Sequence, residues 1–270
     1  MAKGKRSYYE LRVVSSIKIT PGMQRVTLTG SDLANFPEGQ ESGYIKLYFN
    51  QAGEALKYKP EPDPTPETKP MLRTYTIRQF DSQKREMVVD FVLHGEKGHS
   101  GPAANWASTA KEGDPLVISG PGATKLVDNK ADWFLIAGDM TALPAISCNL
   151  EQLPDHAKGY AVIEIQNEAD KQSIKTPEGI EIHWLVNPKP GVTSNTLLDR
   201  IKTLPWLNGR PSIWAACEFN SMRALRQFFK NEKQLSSKDI YISSYWKNGL
   251  NEERHKVEKR KDAQEALSAA

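Results

Sequence analysis

Cysteine is nearly missing from this chain: 270 residues hold two, Cys148 and Cys217, far apart and each inside an apolar segment. They read as small core residues rather than a disulfide. With no CxxC and no HExxH, no protein-bound iron or zinc is expected. No apolar run reaches the ~18 residues that a membrane-spanning helix needs, so no membrane role is expected. The opening MAKGKRSYYELRVV is charged and has no apolar h-region, so export is not indicated and a cytoplasmic location is expected. An excess of one charge is missing too: 36 Lys and Arg against 33 Asp and Glu leave a net charge of +3. That balance excludes the broad basic surface of a nucleic-acid binder and leaves room for a local basic site.

What is present is enough apolar material, 39% of the chain, for a large core and two domains of ordinary size. Residues 1–127 read as short strands and turns. LRVVSSIKITPGMQRVTLTG alternates about Pro21-Gly22, YIKLYF covers Tyr44 to Phe49, MVVDFVLHG ends in His94-Gly95, and DPLVISGPG supplies Pro115 to Ser119. Between them KPEPDPTPETKP, Lys59 to Pro70, holds five prolines and no apolar anchor, which predicts a surface excursion. Six strands with one helical interruption predict an antiparallel β-barrel. The interrupting helix starts at Pro102, after Gly98 and Gly101, and Gly113 ends it, so the backbone N–H groups of Ala103 and Ala104 are offered to a pyrophosphate. A plain connecting helix fits the same letters.

From residue 128 to 248 the pattern changes to strand alternating with helix. Trp133 to Ala137 is a continuous apolar strand, and a helix follows with Thr141 as expected N-cap. Strands are expected at Tyr160 to Gln166, His183 to Val186, Ser212 to Cys217 and Ile240 to Tyr245, with helices at Asn195 to Lys202 and, capped by Asn220, Ser221 to Lys230. This predicts a three-layer α/β/α domain on a parallel sheet, with Gly138 to Ala142, Glu218 to Asn220 and Tyr245 to Lys247 along its ligand-binding edge. GxGxxG is absent. Residues 249–270 read as a charged helical tail capped by Asn251, either solvated or docked.

One stretch organises the rest. In Met71 to Phe80, MLRTYTIRQF, a strand pattern sets Arg73, Tyr75 and Ile77 on one face and Thr74, Thr76 and Arg78 on the other. Arginine forks suit phosphate oxygens and tyrosine suits a flat ring, so the stretch reads as a cofactor strand. Taken alone, six such residues also describe an edge strand with solvated arginines.

The order of RTYTIR, DFVLHG (Asp90 to Gly95), GPAANWA (Gly101 to Ala107), ISGPG (Ile118 to Gly122), AGDMTALPAI (Ala137 to Ile146), WAACE (Trp214 to Glu218) and SSYWKNG (Ser243 to Gly249) resembles the siderophore-interacting proteins. These are FAD-dependent ferric-siderophore reductases of the ferredoxin–NADP reductase-like superfamily. The likeness runs over nearly the whole chain, with Ala216-Cys217-Glu218 where the family often has AGE and Ser244-Tyr245-Trp246-Lys247 where it has GYWR. It implies FAD in a groove between an N-terminal FAD-binding barrel and an NAD(P)H-binding-like domain. Arg73, Tyr75, Thr76 and Arg78 would hold the flavin and its phosphates, and His94, Ala103 and Ala104 its adenine-nucleotide end. Asp139, Thr141 and Ala142 would line it from the second domain. It further implies that Lys46, Lys125 and Lys247 hold an anionic ferric siderophore, Lys46 sharing a strand face with Tyr44 and Tyr48. No protein general acid or base is needed at the iron. NADH, NADPH or reduced ferredoxin would supply electrons, and a monomer is expected. A general flavin or ferredoxin reductase and a non-catalytic siderophore-binding protein are the alternatives. Siderophore, donor, oligomeric state and the conformation of residues 59–70 stay open.

Overall fold

The structure is a computed structural model that describes residues 7–93, 101–192 and 195–268. Contacts divide the chain into two compact units, Met1–Lys125 and Leu126–Ala270.

The first unit is built on alternation. Its strands are β1 (Tyr8–Thr20), β2 (Met23–Thr29), β3 (Tyr44–Phe49), β4 (Met71–Thr76), β5 (Gln79–Asp81), β6 (Glu86–Val92) and β7 (Pro115–Ser119), and one helix, α1 (Pro102–Thr109), lies between the last two. Every second residue of each long strand, such as Val26 and Leu28 or Ile45, Leu47 and Phe49, enters a common apolar core. The antiparallel sheet runs in the order β4-β3-β7-β1-β2-β6-β5. Its two ends are consecutive in the chain, separated by Ile77 and Arg78 alone. Ile77 N donates to Gly43 O (2.8 Å) beside β3, and Arg78 N donates to Val88 O (2.9 Å) on β6. The sheet therefore curls round, a half-barrel whose two edges meet at this corner. The sequence reading of Met71 to Phe80 as one unbroken strand is corrected here: the chain turns from one edge to the other at Ile77-Arg78, with the Ile77 side chain fully buried. A 3-10 turn at Ser31–Asn35 adds a second helical interruption that the strand pattern did not reveal.

The second unit alternates β8 (Trp133–Gly138), α2 (Leu143–Glu151), β9 (Lys158–Ile165), β10 (Gly179–Val186), α3 (Thr196–Thr203), β11 (Pro211–Glu218), α4 (Phe219–Gln227), β12 (Ile240–Trp246) and α5 (Glu252–Ser268). All five strands are parallel, in the order β10-β9-β8-β11-β12. Trp133, Leu135 and Ala137 face the core under α3 and α4, and α2 covers the opposite face. A Cβ at Gly138 would meet Ala216 O at 2.2 Å and the Ala142 Cβ at 3.0 Å, so only glycine lets α2 sit this close to the sheet.

Two expected caps are corrected. Ala142, not Thr141, precedes α2 and makes no side-chain cap bond, because Thr141 Oγ1 is turned to Asp139. Glu218, not Asn220, caps α4, accepting from Asn220 N (2.5 Å) and Ser221 N (3.4 Å). Asn251 does begin α5, its Oδ1 accepting from Arg254 N at 3.0 Å. The tail is docked, and by polar groups: Asp262 takes both Arg226 nitrogens (2.7 and 2.8 Å), His255 Nε2 meets Ser244 Oγ at 2.9 Å, and Lys259 Nζ donates to Ser243 Oγ (2.7 Å) and Ser244 O (2.9 Å). The last bond lies on β12, the edge strand, so α5 also shields an open sheet edge.

Candidate functional site

In the first unit the site grows from the β3–β4 pair. Lys46 pairs with Thr74 and Tyr44 with Thr76, so Tyr44, Lys46, Thr74 and Thr76 share the outward face, while Arg73 and Tyr75 lie on the inward one. Tyr75 stacks on Phe91 with ring centroids 4.4 Å apart, and Phe91 carries Trp106 of α1 at 5.7 Å, so β4 is tied through one ring to the helix. Arg73 Nη1 donates to Leu72 O at 2.7 Å, which orients its guanidinium. Beside β3, Ser42 Oγ donates to the carbonyl of Lys125 (3.4 Å), bringing the two lysine-bearing segments of this unit together. Lys46 Nζ donates to Thr74 Oγ1.

The start of α1 suits a phosphate group. Its N-cap, Gly101, offers no side chain, Pro102 occupies the first turn, and a Cβ added at Gly101 would meet nothing within 4 Å. Among the described residues no cap side chain takes up the first-turn N–H groups, which no carbonyl of the helix can reach. Arg73 on β4, Arg78 just beyond its end and the start of α1 are the donor set that a dinucleotide phosphate needs. His94 lies outside the described residues.

In the second unit the strand order reverses at β8, so a crevice is expected at the carboxyl ends of β8 and its neighbours. Three carboxylates stand there. Asp139 is fully enclosed: Oδ1 accepts from Thr141 N (2.9 Å) and Thr141 Oγ1 (2.5 Å), and Oδ2 from Glu218 N (2.8 Å) and Trp246 Nε1 (2.8 Å). Burial raises its pKa against the pull of those donors. Glu218 caps α4 and also accepts from Asn248 N at 3.3 Å. Glu164, on β9, accepts from Asn187 Nδ2 at 3.0 Å. The structure thus brings Asp139, Glu218 and Trp246 together, as the expected edge required. Sequence reasoning missed Glu164, whose signal was an acid inside the apolar run AVIEI. The N-terminus of α4 is filled by the Glu218 carboxylate, whereas Asp139 accepts from Thr141, just before α2 begins. Ala142 is buried, and Thr141 is spent on Asp139.

Lys247, the third expected substrate lysine, is held in this unit. Its Nζ lies 3.0 Å from Glu258 Oε2 on α5 and 4.4 Å from the centre of the Phe219 ring. Among the described residues no cluster of His, Cys, Asp and Glu is arranged to hold a metal ion. No helix of the described residues is long and apolar enough to cross a membrane.

Glu164 gives a pH prediction. Burial first, then the charges of Asp139 and Glu218, raise its pKa from 4.5 to about 7, against the hydrogen bond from Asn187. The folded chain then holds the proton more tightly than the unfolded one. Glu164 therefore costs no stability below pH 4.5 and destabilises progressively as pH rises to about 7, by about 3 kcal/mol above it. Glu164→Gln should raise the melting temperature over wild type at about pH 8 and leave it unchanged at about pH 5. A gain that does not vary with pH would remove this account.

Comparison with known proteins follows the same division. The family model described as "Siderophore-interacting FAD-binding domain" matches residues 12–125, and that described as "Siderophore-interacting protein" matches residues 131–249. The chain is 40% identical over 247 residues to the ferric vibriobactin reductase ViuB of Vibrio cholerae, covering 89% of this chain and 90% of that protein. The crystal structure of the siderophore-interacting protein SipS from Aeromonas hydrophila superposes with a TM-score of 0.84 at 29% identity, over 96% of this chain and 99% of that one. A siderophore utilization protein from T. fusca gives 0.79 at 32% identity, over 91% and 95%.

Proposed function

The chain belongs to the siderophore-interacting protein family, and from that premise we propose that it is an FAD-dependent ferric-siderophore reductase, taking electrons from a reduced donor and delivering them to Fe(III) held in a siderophore, whose iron leaves as Fe(II). The observation that carries this reading is the β3–β4 register, which sets Lys46 opposite Thr74 on the outward face of the strand bearing Arg73 and Tyr75. A cation for an anionic chelate and the donors for a flavin phosphate are thereby built on one hydrogen-bonded pair.

Within that scheme Arg73 and Arg78 hold phosphate oxygens, Tyr75 gives the flavin a flat neighbour, and Ala103 and Ala104 N–H groups at the start of α1 take the pyrophosphate. FAD, when bound, accepts two electrons from its donor and releases them singly to ferric iron. The chain's residues bind, orient and supply charge; none is assigned as a general acid or base. Lys46 and Lys125 attract the anionic chelate, which a carboxylate at either position would repel. Lys247 has the same role, in competition with Glu258 for its ammonium group.

The donor divides into two readings. NADH or NADPH is the ordinary donor for a parallel α/β unit of this order. Reduced ferredoxin is kept beside it by one observation: the Glu218 carboxylate already fills the start of α4, which opposes a phosphate at that place.

The test is anaerobic formation of Fe(II), trapped by a ferrous chelator, from a ferric siderophore mixed with FAD-loaded protein and NADH, NADPH or reduced ferredoxin in parallel. Ferrous iron with one donor is expected and names that donor. None with any donor, although dithionite bleaches the bound flavin, overturns the reading. In the same assay Lys46→Gln with Lys125→Gln should raise KM for an anionic siderophore by about tenfold and flatten its salt dependence, since each exposed charge contributes about 1 kcal/mol or less. Lys247→Gln alone is expected to cost less, because Glu258 already offsets its charge. An unaltered KM in the double variant would remove Lys46 and Lys125 from the site.

A further inference from the structure

The outward face of β3 carries Tyr44, Lys46 and Tyr48, and the structure uses the two tyrosines differently. Tyr48 is buried, its hydroxyl 2.9 Å from Ser119 Oγ and its ring against Tyr8 at 5.4 Å. Tyr44 stays 41% exposed, yet its ring is fixed in place. A Cβ added at Gly122 would fall 2.0 Å from Tyr44 Cζ, so the ring lies directly on glycine backbone, and Gly122 N donates to Tyr44 O at 2.7 Å. Lys46 Nζ sits 5.3 Å from the ring centre. The segment that supports the ring continues through Thr124, in contact with Gly43, to Lys125, whose carbonyl takes Ser42 Oγ. An exposed aromatic ring is thus held rigidly between one lysine on its own strand and the segment leading to another.

Burial alone does not explain this arrangement, since 41% of the residue stays open to solvent. A pre-ordered ring loses little entropy on binding, and ring contacts add about 0.5–1.5 kcal/mol beyond the area they cover. The Lys46 ammonium group beside the ring suits a ligand ring that is itself anionic. We propose that Tyr44 is a specificity-determining residue for the substrate: its ring, beside Lys46, selects ferric chelates with anionic aryl arms, catecholate or phenolate, over chelates of equal charge whose ligands are aliphatic. The inference rests on the ferric-siderophore reading above.

Redox-inert gallium(III) complexes separate binding from electron transfer. The Kd of FAD-loaded protein for gallium(III) tris-catecholate and for gallium(III) citrate, read from flavin fluorescence, is compared in wild type, Tyr44→Phe, Tyr44→Ala and Tyr44→Leu. Alanine should weaken the catecholate complex by about three- to tenfold and leave citrate within about twofold, while phenylalanine leaves both within about twofold. Leucine keeps an apolar cover on Gly122 and gives the alanine result should Tyr44→Ala fold poorly. Equal losses on both complexes, or no loss on either, overturn the role of Tyr44. The ferrous-trapping assay on wild type is the separate control: if it fails, the reductase reading falls and this one with it, whereas reduction of both ferric chelates with no discrimination in the variants sinks only Tyr44.

Discussion

Arg73→Ala should purify as nearly colourless protein. In the proposed site this arginine gives the flavin phosphates a charged fork from a strand whose geometry the β3 pairing fixes, and its guanidinium is oriented by the carbonyl of Leu72 at 2.7 Å. A hydrogen bond to a charged group is worth about 1.5–3 kcal/mol, and a bidentate pair lies at the upper end, so affinity for FAD is expected to fall by about ten- to a hundredfold. Arg73→Lys keeps the charge and loses the fork, and should fall between the two. Flavin stoichiometry after desalting, from absorbance of the released cofactor, is the measurement. Because Arg73 is half-buried and outside the apolar core, the flavin-free melting temperature of the variants should match that of flavin-stripped wild type. Full flavin occupancy in Arg73→Ala would move the phosphates away from β4 and leave the α1 start as their seat.

The elements that were legible in the sequence are those that repeat one physical rule along their length. Val26, Leu28, Ile45 and Leu47 alternate because a strand buries every second side chain, and Trp133 to Gly138 are apolar throughout because β8 is covered on both faces. The break at Ile77-Arg78 was not legible. Both residues are acceptable in a strand, and what ends β4 is the curl of the sheet: Ile77 N still bonds to Gly43 O beside β3, whereas Arg78 N already bonds to Val88 O on β6. Cap identity failed for a related reason. Glu218 and Asn220 can each cap a helix, and the choice depends on β11 running one residue further than its apolar pattern indicated. Helix α5 shows no apolar stripe because it docks through Asp262, His255 and Lys259. Ionic docking leaves no periodicity to read. The same holds for the candidate sites: Lys46 and Arg73 stood out from their strand, whereas the packing of Tyr44 on Gly122 depends on a turn more than seventy residues away.

Asp139→Asn should be among the most destabilising single-atom-scale changes in the second unit, at about 3 kcal/mol. Four donors converge on this carboxylate, two on each oxygen, from three separate elements: the α2 start, the end of β11 and the end of β12. An amide offers one oxygen and one NH2. Whichever way it is turned, two donors that now meet an acceptor would face another donor in a closed space, and each buried donor left unpaired costs about 1–3 kcal/mol. The opposing gain is the removal of a buried charge that burial already disfavours. Donor loss outweighs it, because two buried donors are left unpaired. The charge change carries a second signature. Asp139 is one of the groups that push the Glu164 carboxyl up to about 7, so in Asp139→Asn that group should titrate nearer its ordinary value of 4.5. The fall in stability between these pH values that Glu164 imposes should shrink with it. Urea unfolding of the variant across that range checks both effects at once. A loss of stability with no change in its pH dependence would mean that Glu164 is raised by burial and Glu218 without Asp139, and a variant as stable as wild type would mean that the three strand ends are held by something other than Asp139.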